Sequence, residues 1–134
     1  SIYLDGRMVQ ASELRRTIGF VPQEDVCVPE DTVAEAIGFA AAMSCGSFPP
    51  LGALAEKRGA RIGTLSGGHR RLVNVLVELA RRPAILLLDE PTTGLDSDSA
   101  EELVKVLKEI STQIPVLCTL HQPGPEIARL LNEV

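Results

Sequence analysis

The second half of the sequence predicts an α/β fold built around a parallel sheet. The run 84–88 (AILLL) is wholly apolar, as expected for a strand that a parallel sheet buries on both faces. Apolar residues recur on one side of a helix at 97–111, and 116–120 is typical of a further strand. A strand, a helix and a strand within about 35 residues form a right-handed βαβ unit, whose two strands are parallel.

The amino-terminal part predicts further short strands. Residues 1–9 contain two of them, joined by an Asp-Gly turn. A brief helical turn is predicted at 12–16, followed by a strand at 17–21 that Pro22 ends. No internal repeat or low-complexity stretch interrupts these elements.

A helix is predicted to begin at Thr32 and to end near Met43. Thr32 and Glu35 have the spacing of a capping box, which satisfies free N–H groups in the first turn. The segment 44–50 (SCGSFPP) reads as a linker, because its two prolines exclude a helix interior. Only a brief helix fits into 51–57.

A second helix is predicted at 69–82, before the buried strand. Two arginines lie in its last turn, where they interact favourably with the helix dipole, and Pro83 ends it. A last helix is predicted from Glu126 to Val134. The apolar stripe of the 69–82 helix has helical spacing and comprises Leu72, Val75, Leu76, Leu79 and Ala80.

Length and composition indicate one globular domain. The chain has 134 residues, of which 45% are hydrophobic, too many for a disordered tail. Its apolar runs are far shorter than the ~20 residues that a membrane span needs. The net charge of −5 argues against a nucleic-acid partner. Cys27, Cys45 and Cys118 lack the spacing of a disulfide framework, so we expect a reducing compartment and buried apolar packing for them.

Polar residues follow both strands of the βαβ unit. Asp89 and Glu90 come after the first strand, and His121 and Gln122 after the second. Because parallel strands end at the same edge of a sheet, we expect Asp89, Glu90 and His121 to converge there. An acidic pair beside an imidazole suits metal-assisted phosphate chemistry, in which one carboxylate holds a cation and the other takes a proton from water. The alternative is strand-end polarity without chemistry.

Two further segments are candidates for ligand contact. The run 65–69 (LSGGH) precedes a helix, where a serine and two glycines expose backbone N–H groups to an anion. Serine and glycine also simply cap helices, and that interpretation stays open. Gln23 follows the strand that Pro22 ends, and a solvated loop residue is the alternative interpretation for it.

Taken in order, these segments resemble the motifs of the nucleotide-binding domain of ABC ATPases. The resemblance implies a partial P-loop NTPase core of the RecA type. Three runs, 121–123 (HQP), 21–25 (VPQED) and 89–97 (DEPTTGLDS), point to the G or White-type subfamily of transporters or to the related fungal drug-resistance pumps. The matching motifs are the Q-loop at 21–23, the signature motif at 65–68, the Walker B strand at 85–90, the D-loop at 93–96 and the switch histidine segment at 119–121.

The resemblance implies a role in ATP hydrolysis for the residues at the sheet edge. Asp89 would hold Mg²⁺ through water, and Glu90 would be the general base for the attacking water. His121 would contact the γ-phosphate of ATP. Gln23 would sense both Mg²⁺ and the transmembrane partner.

Other residues are implied to face a second ABC domain in a head-to-tail dimer. Ser66, Gly67 and Gly68 would cradle the γ-phosphate of ATP bound mainly to that domain. Asp96 would couple the two sites across the dimer. A transmembrane domain, in the same chain or in a partner, would be the other neighbour.

The sequence departs from the family pattern in its phosphate-binding loop. The P-loop pattern G-x-x-x-x-G-K-[ST] is absent; Gly63 and Gly68 have its glycine spacing but are followed by His69 and Arg70. The family has this loop upstream of the Q-loop, so we expect it to precede Ser1. The chain alone would then hold an incomplete ATP site.

The domain prediction is a partial ABC ATPase domain over 1–134. Residues 1–23 and 84–134 would form the core, and 24–83 a helical subdomain that carries the signature motif. The segment between Met43 and Arg61 is short for such a subdomain. The surface that docks a transmembrane domain is in question for that reason.

The predicted function is ATP binding and hydrolysis coupled to transport, at the cytoplasmic face of a membrane. Two alternatives remain. One is an ABC ATPase that acts on ribosomes or DNA, which the net charge of −5 does not favour. The other is a non-catalytic half-cassette that dimerises with an intact domain and donates only its Ser66–Gly68 face.

Overall fold

Two sheets carry the strands of the described part of the chain. A computed structural model describes residues 2–4, 6–10, 12–13 and 17–130. A parallel three-stranded sheet has the order β3-β4-β5, which confirms the predicted α/β class. The strands are β1 (Ile2–Leu4) and β2 (Arg7–Val9), which form an antiparallel pair, then β3 (Ile18–Val21), β4 (Ile85–Leu88) and β5 (Val116–Cys118).

The helices lie close to their predicted positions. The 3₁₀ segment at 52–57 is the brief helix predicted there. The predicted turn at 12–16 lies partly outside the described residues, as does 131–134 of the predicted last helix. The helices are α1 (Val33–Met43), α2 (Gly67–Ala80), α3 (Ser97–Ser111) and α4 (Pro125–Leu130), with 3₁₀ segments at Gly52–Lys57 and Ile62–Thr64.

Helix α2 lies at the centre of the packing and contacts α1, α3 and strand β3. Its Val73 and Val75 are fully buried, as are Ile37 of α1 and Leu86 of β4. These side chains belong to one hydrophobic cluster between the helices and the parallel sheet. Helix α2, with its 14 residues, therefore packs β3, the strand that precedes Gln23, against the rest of the domain.

The parallel sheet is more open on one face than the sequence predicts. Leu86 and Leu88 are buried on one side of β4, whereas Ile85 and Leu87 on the other are only partly buried. Leu87 pairs in register with Phe20 and Leu117, which are 52% and 55% exposed. The described helices cover the Leu86 side, so burial on both faces was wrong for this strand within the described part of the chain.

The cysteine prediction holds for only part of the set. Cys27 and Cys118 pack against the core, and burial raises the pKa of the Cys27 thiol to about 11. Cys45, in contrast, is exposed. It has a φ of +50° just after α1, where the Gly46 N–H donates to the Ala41 carbonyl and closes the helix end. A position in the helix-ending turn keeps this thiol at the surface.

The predicted capping box at the start of α1 is confirmed. Thr32 Oγ1 accepts from the Glu35 N–H at 3.2 Å, and Glu35 Oε2 accepts from the Thr32 N–H at 2.8 Å. The Thr32 N–H and hydroxyl hold the pKa of the Glu35 carboxyl below its ordinary value. The stabilisation that this contact gives is therefore fully present above the unfolded-state pKa of Glu35. It is lost as the pH falls through the lower folded-state pKa of Glu35.

Replacing Thr32 with Ala is expected to lower the free energy of unfolding by about 1 kcal/mol at neutral pH, because the helix loses its cap. The difference from the wild type should shrink as the pH falls below 4.5, the ordinary value for Glu35. Urea titrations at several pH values measure both effects. Thr112→Ala is the matched control, since its hydroxyl donates only to the Glu109 carbonyl. Equal losses in the two variants would contradict the capping role.

Candidate functional site

The candidate site lies at the carboxyl edge of the parallel sheet. The Asp89 N–H, just after β4, donates to the Val21 carbonyl of β3 at 2.9 Å. The Thr119 N–H, just after β5, donates to the Leu88 carbonyl at 3.0 Å. These backbone bonds continue the pairing beyond the strands and align the three strand ends. The residues that follow the strands are thereby brought to one edge.

Thr119 links the two carboxylate residues to strand β5. Its hydroxyl donates to Asp89 Oδ1 at 2.7 Å and accepts from the Glu90 N–H at 2.9 Å. One side chain thus fixes both the Asp89 carboxylate and the backbone of Glu90. Thr119 was not predicted as a site residue, although a hydroxyl residue two positions before His121 was an available signal.

Glu90 is held in an unusual backbone conformation. Its φ is +43°, a left-handed value that is uncommon for residues other than glycine. The Thr93 hydroxyl donates to Glu90 Oε2 at 2.9 Å, and the Thr93 N–H donates to the Glu90 carbonyl at 3.1 Å. Fully buried Pro91 anchors the turn between them. Conformations of this kind persist where the surroundings fix them, and they concentrate at functional sites.

The predicted residues on either side of Asp89 are at the surface. His121 is exposed and lies two residues beyond Thr119, and Gln23 is exposed two residues beyond β3. Among the described residues, no hydrogen bond joins either side chain to Asp89 or Glu90. The sheet therefore brings the carboxylates and Thr119 into direct contact and carries His121 and Gln23 on the flanking strand ends.

The donor set at this edge fits Mg²⁺ better than a metal held entirely by protein. Within the described residues, no group of three or more His, Cys, Asp or Glu side chains is placed to hold a metal ion. Mg²⁺ usually keeps several water ligands and binds through one or two carboxylates together with phosphate oxygens. The exposed Asp89 carboxylate, oriented by Thr119, matches that mode of binding.

The predicted signature segment forms the start of α2. Ser66 is the N-cap: its hydroxyl accepts from the His69 N–H at 3.2 Å and lies 2.8 Å from His69 Nδ1. The helix begins at Gly67 and ends at Ala80, two residues earlier at each end than predicted, because Ser66 caps its start. Arg81 and Arg82 therefore follow the helix, and their predicted place in its last turn was wrong. The first N–H groups of a helix have no partner within it, so the N–H groups of Gly67 and Gly68 have no acceptor in α2.

Asp96 caps helix α3. Its carboxylate accepts from the Ser99 N–H at 2.9 Å and from the Ser99 hydroxyl at 3.0 Å. These bonds hold the pKa of the Asp96 carboxyl below its ordinary value. The residue predicted to couple two sites therefore has a structural role within the chain as well.

A polar network joins the segment around Gln23 to helix α2. Asp25 accepts from Arg70 Nε at 3.1 Å and from Asn74 Nδ2 at 3.0 Å. Arg71 Nη1 donates to the Pro22 carbonyl at 2.9 Å and lies 3.9 Å from Asp25 Oδ1. This network was not predicted from the sequence. Arg71 and Asn74 beside the apolar stripe of a helix were the available signal, and both are buried.

Known proteins similar to this chain point to one family. The family profile described as "ABC transporter" matches residues 1–93. The chain belongs to the ABC transporter family. This membership confirms the resemblance seen in the motifs, and the mixed α/β fold with its parallel sheet agrees with a partial P-loop NTPase core.

Curated relatives of this ABC transporter chain include members of the G family. ABC-type transporter claG of Penicillium crustosum is 36% identical, and the match covers 100% of the chain and 21% of the relative. ABC transporter G family member STR2 of Medicago truncatula is 36% identical over 99% of the chain and 21% of the relative. ABC transporter G family member 4 of Arabidopsis thaliana is 37% identical over 100% and 26%. These names agree with the predicted G-type subfamily.

The chain spans only part of these ABC transporters. The matched share of each relative is between 21% and 26%. The aligned spans of 148 to 154 residues exceed the 134 residues of this chain, so the relatives have residues within the span that it lacks. Within the described residues, no helix combines the length and apolar character of a membrane span.

A cavity among the described residues of this ABC transporter chain lies away from the candidate site. It has a volume of about 720 Å³ and lies between the segment 47–53 and helices α2 and α3. Leu72, Leu76 and Ile110 line it, and none of the predicted site residues does. This cavity is separate from the candidate site, where Asp89, His121 and Gln23 are exposed.

Proposed function

We propose that this chain provides part of the ATP-binding and ATP-hydrolysing domain of an ABC transporter, in which hydrolysis drives transport across a membrane. The observation that carries the proposal is the contact of Asp89 and Glu90 with Thr119 across two strand ends. It gives one ordered carboxylate for a cation and a second for a proton, at the edge where α/β sheets bind ligands.

In this proposal, Asp89 and Gln23 hold Mg²⁺, Asp89 through water. When bound, the ion neutralises charge on the phosphates of ATP. The Thr119 hydroxyl donates to Oδ1 of Asp89, which leaves the other carboxylate oxygen, Oδ2, without that bond. Hydrolysis of this kind depends mainly on positioning and charge stabilisation, which is consistent with the fixed geometry of Asp89.

Glu90 is the proposed general base. Thr93 holds its Oε2, so Oε1 is the oxygen that takes the proton from water. The left-handed backbone and the bond from the Glu90 N–H to Thr119 restrict the positions of this side chain. His121, on the neighbouring strand end, is proposed to contact the γ-phosphate.

The proposed partner-facing residues are Ser66, Gly67, Gly68 and Asp96. The first three present N–H groups at the start of α2, where the helix dipole favours an anion. They would contact ATP bound mainly to a second ABC domain in a head-to-tail dimer, and Asp96 would couple the two sites. A transmembrane domain completes the proposed assembly at the cytoplasmic face of the membrane.

The proposed division assigns 1–23 and 84–134 to the core and 24–83 to the helical subdomain. One bond of the Asp25 network crosses this boundary, because Arg71 Nη1 of α2 donates to the Pro22 carbonyl just after β3. The Q-loop segment and the signature helix are thus in direct contact. A movement of either segment would displace the other through Arg71.

The decisive test compares Mg-ATP binding and hydrolysis by the 134-residue chain and by the full-length protein. Calorimetry should give weak binding or none for the chain alone, because no P-loop sequence occurs within it. The full-length protein should hydrolyse ATP only with Mg²⁺, and Asp89→Asn should raise the Mg²⁺ concentration that it needs. Micromolar affinity of the chain alone would refute the incomplete site. A full-length protein without hydrolysis would favour a non-catalytic half-cassette.

A further inference from the structure

The turn before α2 and the turn before α3 are in direct contact within this chain. A Cβ atom built on Gly68 would lie 2.8 Å from Ser99 Cβ and 3.1 Å from Ser99 Oγ. A Cβ atom on Gly67 would lie 3.3 Å from Leu95 Cδ2. The two glycines therefore pack against residues on either side of Asp96. This contact joins the two segments that the proposed function directs at the partner domain.

Close packing, and not backbone conformation, requires glycine at position 68. Among the described residues the glycines with positive φ are Gly6, Gly52 and Gly94, so Gly67 and Gly68 have backbones that any residue adopts. Distances under 3.0 Å between Cβ atoms are essentially never observed. A side chain at Gly68 would have to displace Ser99, or the first turn of α2 would have to move.

Ser99 cannot give way easily, because Asp96 holds it twice. Its N–H donates to Asp96 Oδ1 at 2.9 Å and its hydroxyl donates to Oδ2 at 3.0 Å. Rotation about the Cα–Cβ bond would move Oγ but not Cβ, so relief of the closest contact needs a shift of the Ser99 backbone, whose N–H is held by Asp96 Oδ1. Ser99 is therefore held in place where Gly68 packs against it.

We propose that Ser99 is a positioning residue. Through its contact with Gly68, the Ser66–Gly68 turn and the Asp96 turn move together. This inference rests on the proposed function, which directs both turns at nucleotide in the partner domain. Through Ser99, a shift of Asp96 at the dimer interface moves the backbone N–H groups at Gly67 and Gly68. A shift of those N–H groups moves Asp96 in the same way. Binding of the partner's nucleotide and the position of the Asp96 turn are thereby coupled inside one chain.

A double-mutant cycle that exchanges atoms across the contact tests the proposal. Gly68→Ala adds a methyl group, Ser99→Gly removes the opposing Cβ and hydroxyl, and the double variant restores the total volume. We expect Gly68→Ala to lower ATP hydrolysis by the full-length protein at least about 10-fold. The rate of ATP hydrolysis by the double variant should return to within about 3-fold of the rate of Ser99→Gly alone. Gly68→Ala with Ser97→Gly is the matched control and should not recover, because Ser97 is not among the contacts of Gly68.

Thermal unfolding of the 134-residue chain gives a second readout that does not depend on ATP. The contact predicts that Ser99→Gly offsets most of the fall in unfolding midpoint caused by Gly68→Ala. Additive midpoints would overturn the proposal. Restored midpoints without restored hydrolysis, in a protein whose wild type is active, would also overturn it, because the glycine would then be needed by the ligand itself. If the wild type does not hydrolyse ATP, the proposed function fails, and the unfolding cycle alone decides whether the two turns are joined.

Discussion

Replacement of Glu90 by Gln is expected to slow ATP hydrolysis by the full-length protein about 10²- to 10⁴-fold, the usual contribution of a positioned general base. The amide cannot take a proton from water. It keeps the size of the side chain and an oxygen that accepts from Thr93, and the bond from the residue-90 N–H to Thr119 is unaffected. Nucleotide affinity should therefore change by no more than a few-fold. Single-turnover hydrolysis and equilibrium ATP binding separate the two effects.

The matched control for this experiment is Glu102→Gln. Glu102 is exposed on α3 and lies outside the candidate site. Turnover of this variant should stay within about 2-fold of the wild type, since surface substitutions away from a site have small effects. If Glu90→Gln reduced ATP affinity as much as turnover, Glu90 would be a structural residue of the turn.

Removal of the Asp25 carboxylate, as in Asp25→Ala, is expected to lower the free energy of unfolding by about 2 kcal/mol. Loss of one partner of a buried ion pair costs about 3–5 kcal/mol. The Asp25 side chain is 38% exposed, which reduces that cost, but the Arg71 side chain is only 8% exposed and would lose its nearest carboxylate. Asn74 and Arg70 would also lose an acceptor. Urea unfolding of the 134-residue chain measures the loss.

Glu24→Ala serves as the control for Asp25→Ala, because Glu24 is the exposed neighbour in the same segment. It should change the free energy of unfolding by less than about 0.5 kcal/mol. A loss for Asp25→Ala as small as that would mean that solvent already screens Arg71. In that case the Gln23 segment would not depend on α2 for its position.

Local sequence signals predicted the elements well, because most of them depend on neighbours along the chain. Helix α3 occupies the predicted range, since Asp96 caps it and its apolar residues repeat at helical spacing. The capping box of α1 depends on two residues three positions apart. Asp89 and Glu90 were likewise found from their place after an apolar strand.

The residues that organise the site were missed because their contacts join distant parts of the chain. Thr119 bonds to Glu90 and Asp89, 29 and 30 residues away, and Asn74 bonds to Asp25, 49 residues away. A threonine in a strand is explained locally by its β propensity, and nothing nearby indicates a carboxylate partner. The open face of β4 was missed for a similar reason, since an apolar run does not show which of its faces a helix covers.

The strand order β3-β4-β5 also sets the dimensions of the candidate site. Neighbouring strands lie about 4.8 Å apart, so the three strand ends extend over about 10 Å. Asp89 follows the middle strand, whereas Gln23 and His121 follow the flanking ones. The strand order therefore places the Asp89 carboxylate at the middle of this edge, with the amide of Gln23 at one end and the imidazole of His121 at the other. A linear anion laid across this edge would meet a different side chain at each strand spacing, and its orientation would be fixed by the order of the strands.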